Sequence, residues 1–304
     1  MRACGYAVRH RSLCQGKELN CRFVMDIMGS WNAHIENSIR GKFHAELFSR
    51  FTKAIVRYRL VEPGDRIAVC ISGGKDSFLM AKLFMELTRH NKFPFELRFL
   101  SMNPGYSEAN LEAILDNARL MKIPLEVFET QVFEAAFRSE KSPCYLCARM
   151  RRGYLYKEAR DRGCNKIALA HHYDDVIETV LMGMLYSGQY SGMMPKLKST
   201  NFTGMQLIRP MYLIREDDVI RWRDYNDLHF LNCACRFTEK NYAVSGDDKT
   251  GSKRLETKRI IRKLKEDNPY LETNIFNSMH NVSLNTLLGY TDTEGNKHDF
   301  LERF

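Results

Sequence analysis

The chain has 304 residues, with 46 lysines and arginines against 37 aspartates and glutamates, giving a formal net charge of +9. No apolar run approaches the ~18 residues needed to span a bilayer, and Met1–Cys21 is basic without an apolar core, so neither a membrane span nor a secretory signal is expected and the expected location is the cytosol. The basic balance favours a polyanionic partner, nucleic acid foremost, and the length suits one large domain with an appendage.

Residues 1–24 carry Cys4, Cys14 and Cys21 at irregular spacing and show no hydrophobic period. They read as a tail, or as sequence upstream of a start at Met25 or Met28. An N-terminal helical segment is expected over 25–64. Within it, Ile35, Ile39, Phe43, Leu47, Phe48 and Phe51 mark one face of a helix over about 35–60. A strand–helix alternation follows. Strands are expected at 66–71, 95–102, 124–129, 166–170 and 206–209. Helices are expected at 77–90, 107–121, 131–138, 145–162, 174–186 and 215–227. The stretch with Gly183, Gly188, Gly192 and Pro195 reads as a loop. The implied fold is α/β: a doubly wound, mainly parallel five-stranded sheet over 65–235, with ligands at the carboxyl ends of the strands. A mostly helical, basic region is expected over 236–304.

Four groups of residues carry chemistry. The first is Ser72-Gly73-Gly74-Lys75-Asp76-Ser77, between an apolar strand and an amphipathic helix. Gly73 and Gly74 can adopt positive φ, and the following helix start offers unpaired N–H groups and a positive dipole end to a phosphate. Too few residues separate the glycines from Lys75 for a Walker loop, so a nucleotide site of another kind is expected.

The second is Cys144-Tyr145-Leu146-Cys147 at a helix start, with Cys233-Ala234-Cys235 far downstream. Spacing leaves several readings open: a four-sulfur zinc site, a dithiol redox pair, an iron–sulfur cluster on Cys144, Cys147 and one of Cys233 or Cys235, or inert buried thiols. Arg149, Arg151 and Arg152 follow on the same helix and suit phosphate contacts.

The third is His171-His172-Tyr173-Asp174-Asp175 after the fourth strand, on the same rim as the glycine loop. Two carboxylates beside phosphates suit Mg²⁺ or proton transfer, and helix capping explains only one of them. The fourth is 249–265, with eight basic positions and one acidic. Its spacing predicts a helix docked through Leu255, Ile260, Ile261 and Leu264 that presents Lys253, Arg254, Lys258, Arg259, Arg262 and Lys263.

Together these motifs, with Met194-Pro195-Lys196 and Ile208-Arg209-Pro210, resemble the tRNA 2-thiocytidine biosynthesis proteins of the TtcA type within the PP-loop ATPases, over about residues 35–285. The resemblance implies an ATP-dependent tRNA sulfurtransferase. It adenylates the C2 oxygen of an anticodon-loop cytidine and replaces that oxygen with sulfur. It implies ATP gripped by Ser72 to Ser77, with Met102, His171 and Asp174 as further nucleotide contacts. Lys75, Asp76 and Asp175 become the candidate catalytic groups, with Mg²⁺. A [4Fe-4S] cluster on Cys144, Cys147 and Cys233 is implied too. Partners would be tRNA and a sulfur donor, either sulfide or sulfur mobilised by a cysteine desulfurase; the resemblance also admits a homodimer. Related readings are 2-thiolation of a tRNA uridine, a lysidine synthetase, which shares the glycine loop and the His-Asp segment but does not need the cysteine set, and a zinc-stabilised RNA-binding protein without sulfur transfer.

Overall fold

The computed structural model describes residues 18–90, 92–137, 143–231 and 253–303. These residues form two compact units. One takes the chain up to Asp174 and again from Met194; the other takes Asp175–Met193 and the chain from Lys253 onward.

The first unit opens with helix α1 (Glu18–Arg40), which begins inside the segment read as a tail. The single helix expected over 35–60 is broken into α1, a π-helical turn at His44–Phe48 and α2 (Ser49–Arg57). The wider turn keeps Phe43, Leu47, Phe48 and Phe51 all buried, which is the face the hydrophobic spacing marked.

Six strands form the sheet: β1 (Arg66–Cys70), β2 (Glu96–Asn103), β3 (Leu125–Glu129), β4 (Lys166–Ala168), β5 (Lys196–Lys198) and β6 (Gln206–Ile208). Their order is β3-β2-β1-β4-β6-β5. All pairs are parallel except β5 against β6. The extra strand corrects the five-stranded expectation. Lys196-Leu197-Lys198 pairs antiparallel at the edge, in a stretch read as a loop. Three residues with charged ends carry too little apolar signal to be recognised, and charged short strands are what an exposed edge requires.

Helix α3 (Lys75–Arg89) follows β1, α4 (Glu108–Leu120) follows β2, and α5 (Val132–Phe137) and α6 (Pro143–Asp161) follow β3. Helix α7 (Tyr173–Ser187) follows β4 and α8 (Glu216–Tyr225) follows β6. The chain leaves β1 toward β2 and β3 but reaches β6 through β4 on the other side. That reversal between β1 and β4 is the point at which ligands bind doubly wound sheets.

β1 is buried from Ile67 to Cys70, and α3 buries Phe78, Leu79, Met80, Ala81, Leu83 and Phe84. Even Lys82 of α3 is fully buried. Its Nζ donates to Asn32 Oδ1 (3.0 Å), Glu36 Oε1 (2.8 Å) and Met121 O (3.0 Å). Burial pushes the Lys82 ammonium below its usual range, with the Glu36 carboxylate opposing that shift. The pair ties α1 to the helix that carries the glycine loop.

In the second unit, helix α9 (Lys253–Asp267) is followed by α10 (Leu271–Ser278) and a hairpin of β7 (Gly289–Thr291) and β8 (Lys297–Asp299). The hairpin adds two short strands to a region whose other described elements are helical, and Gly295, at φ +91°, closes its turn. The inward face of α9 also differs from the expected apolar stripe. Thr257 and Ile261 are buried, while Leu255 and Leu264 are exposed. Arg254 and Lys258 turn inward because acidic groups on α7 attract them: Arg254 Nη1 donates to Asp175 Oδ1 (2.7 Å), and Lys258 lies 3.6 Å from the buried Glu178. No described helix is long and apolar enough to cross a membrane.

Candidate functional site

The glycine loop is built by the chain around it. Ser77 Oγ donates to Gly74 O (2.9 Å) and accepts from Ser72 N (3.1 Å), which closes the loop onto the first turn of α3. Gly73 has φ +93°, and a Cβ there would meet Ile114 at 3.0 Å and Leu231 at 3.2 Å. Both the conformation and the space therefore require glycine. Leu231 N also donates to Gly73 O (3.3 Å). Gly74 is the N-cap of α3, and no side chain caps it. The first N–H groups of α3 thus retain no side-chain acceptor of their own, the condition in which a helix start binds an anion.

Charged groups surround this opening. Lys75 Nζ lies 3.1 Å from Asp76 Oδ2 and 3.4 Å from Glu216 Oε1. Asp76 Oδ1 is buried and accepts no hydrogen bond from any described residue. His172 Nε2 lies 4.0 Å from it. A buried carboxylate oxygen without a donor is costly, so this oxygen is the atom best placed for a bound cation or a proton. His172 is itself buried, with Nδ1 3.8 Å from Asp174 Oδ2. Asp174 is taken up structurally. It receives Arg215 Nη2 (2.9 Å) and Nε (3.2 Å) on Oδ1 and the backbone N–H of Glu216 (2.7 Å) on Oδ2. It therefore fastens the start of α8 beside Lys75.

His171 has a defined orientation. Arg209 is buried and donates from Nε to His171 Nδ1 (3.3 Å) and from Nη1 to Met194 O. Its backbone N–H donates to Pro195 O (2.9 Å). Because Arg209 can only donate, Nδ1 of His171 accepts, and the ring is the neutral Nε2–H tautomer. Arg209, Arg215 and Glu216 were not among the expected site residues. The signal for them was position: Arg209 directly follows β6 and Arg215-Glu216 opens α8, on the rim where β1 and β4 end.

The other expected residues are distributed as follows. Met102 has a buried side chain in the hydrophobic cluster under the sheet. The β1–β2 pairing ends at Leu100, so the Met102 backbone lies two residues beyond it on the ligand-binding rim. Asp175 belongs to the second unit, where Arg254 holds it.

Cys147 is half-buried on α6 and packs against that hydrophobic cluster together with Met150 and Leu155. Cys144 lies three residues earlier on the same helix, which puts both on one face; its side chain and the whole of Cys233 and Cys235 lie outside the described residues. Cys70 and Cys164 are a different kind of cysteine. Burial pushes the Cys70 thiol up to about 12 and raises Cys164 as well, so both are neutral core thiols. Among the described residues, no three His, Cys, Asp or Glu side chains converge on a metal position. Arg149 and Arg152 are exposed on α6.

A parallel sheet whose first strand runs through a glycine turn into an uncapped helix defines a PP-loop protein, and a match to the PP-loop domain spans residues 44–235. A tRNA-cytidine(32) 2-sulfurtransferase of Coxiella burnetii (strain RSA 331 / Henzerling II) is 32% identical over 246 residues, covering 78% of this chain and 90% of the relative. The tRNA-cytidine(32) 2-sulfurtransferase of Syntrophotalea carbinolica is 34% identical over 239 residues, covering 78% and 88%. The chain belongs to the PP-loop family, on the branch of the tRNA-cytidine(32) 2-sulfurtransferases. Its fold is similar to that of the U34-tRNA thiolase NcsA from Methanococcus maripaludis, solved with its [4Fe-4S] cluster, at a TM-score of 0.61 and 22% identity over 78% of each chain.

Proposed function

We propose that this protein is an ATP-dependent tRNA sulfurtransferase that converts a cytidine, the one at position 32 by analogy with its relatives' names, to 2-thiocytidine. The observation that carries the reading is the glycine loop: Gly73 excludes any side chain, α3 is uncapped, and Asp76 keeps a buried oxygen without a donor. These features fit a nucleotide's pyrophosphate and a cation beside it. In the proposed reaction the C2 oxygen attacks the α-phosphorus of ATP and pyrophosphate leaves. Sulfide (HS⁻) then attacks C2, the C2–O bond breaks, AMP departs with the oxygen, and the sulfur's proton is lost to leave the 2-thio group.

The chain's own groups divide the work. Backbone N–H groups from Ser72 to Ser77 hold the departing pyrophosphate, and Lys75 offsets its charge. Asp76 is the candidate Mg²⁺ ligand, with phosphate oxygens completing the coordination. The Met102 backbone is the candidate adenine contact, and His171, fixed as a neutral Nε2–H donor, is a candidate phosphate contact. Asp175, the other candidate carboxylate, is engaged by Arg254.

The cysteine set fits an iron–sulfur cluster. Cys144 and Cys147 share one face at a helix start, where the dipole favours thiolates, and Cys233 is the proposed third ligand. Such a cluster supplies an iron atom able to bind the sulfur to be transferred. The Arg149–Arg152 face and the exposed basic residues of α9 are proposed to contact the tRNA backbone.

Nucleoside analysis of tRNA from a deletion strain tests the reading. We expect 2-thiocytidine to vanish and to return with the wild-type gene, but not with Lys75→Met or Cys147→Ser. Unchanged 2-thiocytidine with lost 2-thiouridine would move the target to a uridine. Purified protein holding one zinc and no iron would overturn the cluster.

A further inference from the structure

The second unit carries an exposed feature that the chemistry above does not use. At the carboxyl end of α7, Met184, Leu185 and Tyr186 are consecutive and exposed, and Tyr190 follows, also exposed. The earlier part of the same helix buries Val176, Ile177 and Val180 in the ordinary way. Tyr186 is 37% exposed, yet it is held firmly. Lys253 Nζ sits 4.5 Å from its ring centroid. Lys253 is itself paired with Glu256 at 3.2 Å. Tyr190 is fixed too, its hydroxyl 2.6 Å from Ser278 Oγ. Arg262 and Lys263 lie exposed further along α9.

Fixing two exposed tyrosines costs side-chain entropy that a bare surface would not spend. Rigid aromatic rings beside cations are what unstacked nucleobases with a phosphate backbone select. Base–aromatic stacking needs a ring already in place, and flanking lysines and arginines neutralise phosphates. A stacked base with its phosphate uses both the ring face and the adjoining cations, whereas an acidic protein surface is recognised by the cations alone.

We infer that Tyr186, backed by Lys253 and supported by Tyr190, is a stacking platform for an unpaired base of the tRNA anticodon loop, with Arg262 and Lys263 following the adjoining phosphates. The inference rests on the tRNA reading above and adds where the loop is held.

The experiment measures binding of a fluorescent anticodon stem-loop, and of a loop-free duplex RNA of equal charge, to full-length protein across a salt series. Tyr186→Ala and Tyr186→Leu should weaken stem-loop binding roughly tenfold or more. They should leave duplex binding and the slope of log affinity against log salt unchanged, because stacking releases no counterions. Tyr186→Phe should bind like wild type. Arg262→Ala with Lys263→Ala should instead flatten the salt slope by about one unit per charge and weaken both RNAs. Nucleotide affinity, measured in parallel, should stay constant in all variants. Tyr186→Leu binding the stem-loop at wild-type strength, or losing duplex affinity equally, overturns the platform. Wild-type protein that binds ATP but neither RNA overturns the tRNA reading and the platform with it.

Discussion

The two rims of the sheet are built on opposite principles. At the rim where β1 and β4 begin, the buried charges are paired. Lys166 is fully buried, and its Nζ donates to Leu60 O (3.1 Å), Glu62 Oε2 (2.9 Å) and Asp65 Oδ2 (2.6 Å). Asp65 also accepts from Glu62 N (2.6 Å) and Asn165 Nδ2 (2.8 Å). At the rim where the same strands end, the start of α3 has no side-chain cap and Asp76 Oδ1 has no donor. A buried polar group left without a partner costs stability. Among the described residues, the first rim leaves one neutral amide oxygen, Gln206 Oε1, without a partner, whereas the second leaves a carboxylate oxygen and an uncapped helix start, a larger cost that a ligand can repay.

The largest effect should come from breaking the satisfied rim. Lys166→Met leaves Asp65 buried with only the neutral donors Glu62 N and Asn165 Nδ2 and without its cation, a loss of about 3–5 kcal/mol. Chemical denaturation should show that loss, while nucleotide affinity per folded molecule stays at the wild-type level. The pH profile sharpens the test. Lys166, with Lys196 behind it, holds the Glu62 carboxylate below its usual range. A depressed carboxylate contributes stability above its unfolded pKa and loses it as pH falls through the folded one. Wild-type stability should therefore decline on the acid side of about 4.5, and Lys166→Met should show a shallower decline there.

Gly73→Ala is the converse experiment on the open rim. The substitution imposes left-handed strain and pushes against Ile114 and Leu231, worth about 1–3 kcal/mol. It also shifts the uncapped N–H groups at the start of α3. Calorimetric titration with a non-hydrolysable ATP analogue should show nucleotide affinity falling by roughly a hundredfold, out of proportion to the change in melting temperature. Equal losses in both would mean that the open rim is merely a weak point of the fold.

Arg209→Met tests a subtler element of the same rim. It frees His171 from its imposed tautomer and leaves Met194 O, on an exposed residue, to water, at about 1 kcal/mol. Imidazole ¹⁵N spectra should show His171 as a single Nε2–H form in the wild type and as a mixture in the variant. Thiolation should fall about tenfold, with tRNA affinity unchanged. A single unchanged tautomer in Arg209→Met would remove Arg209 from the site.

Legibility in the sequence followed the range of the contacts. Ser72 to Ser77 could be read because strand, glycine turn and helix start are consecutive, and His171 to Asp174 because they follow directly on an apolar strand. What holds these segments could not be read. Leu231 backs Gly73 from 158 positions away, and Arg209 reaches His171 across 38. β5 escaped because three residues with lysines at both ends look like any loop, and the β7–β8 hairpin because its strands are equally short. Asp175 looked like the twin of Asp174, yet the fold separates them: one fastens α8, the other meets Arg254. Adjacent carboxylates on a helix start point about 100° apart, and only the fold decides what each one meets.

The smallest effect tests whether an open helix start is special to α3. Helix α4 begins on the same rim after the neighbouring strand, but there Ser107 Oγ accepts from Asn110 N (3.3 Å), so the end is capped by its own residue. α4 meets the glycine loop through Ile114, nearly two turns in. Ser107→Ala should therefore cost about 1 kcal/mol and leave nucleotide affinity untouched, since Ile114 keeps its place. Differential scanning calorimetry and the same nucleotide titration measure both. If Ser107→Ala lowered affinity as far as Gly73→Ala does, the α4 start would also be a ligand end, and the contrast between capped and uncapped helices on this rim would fail.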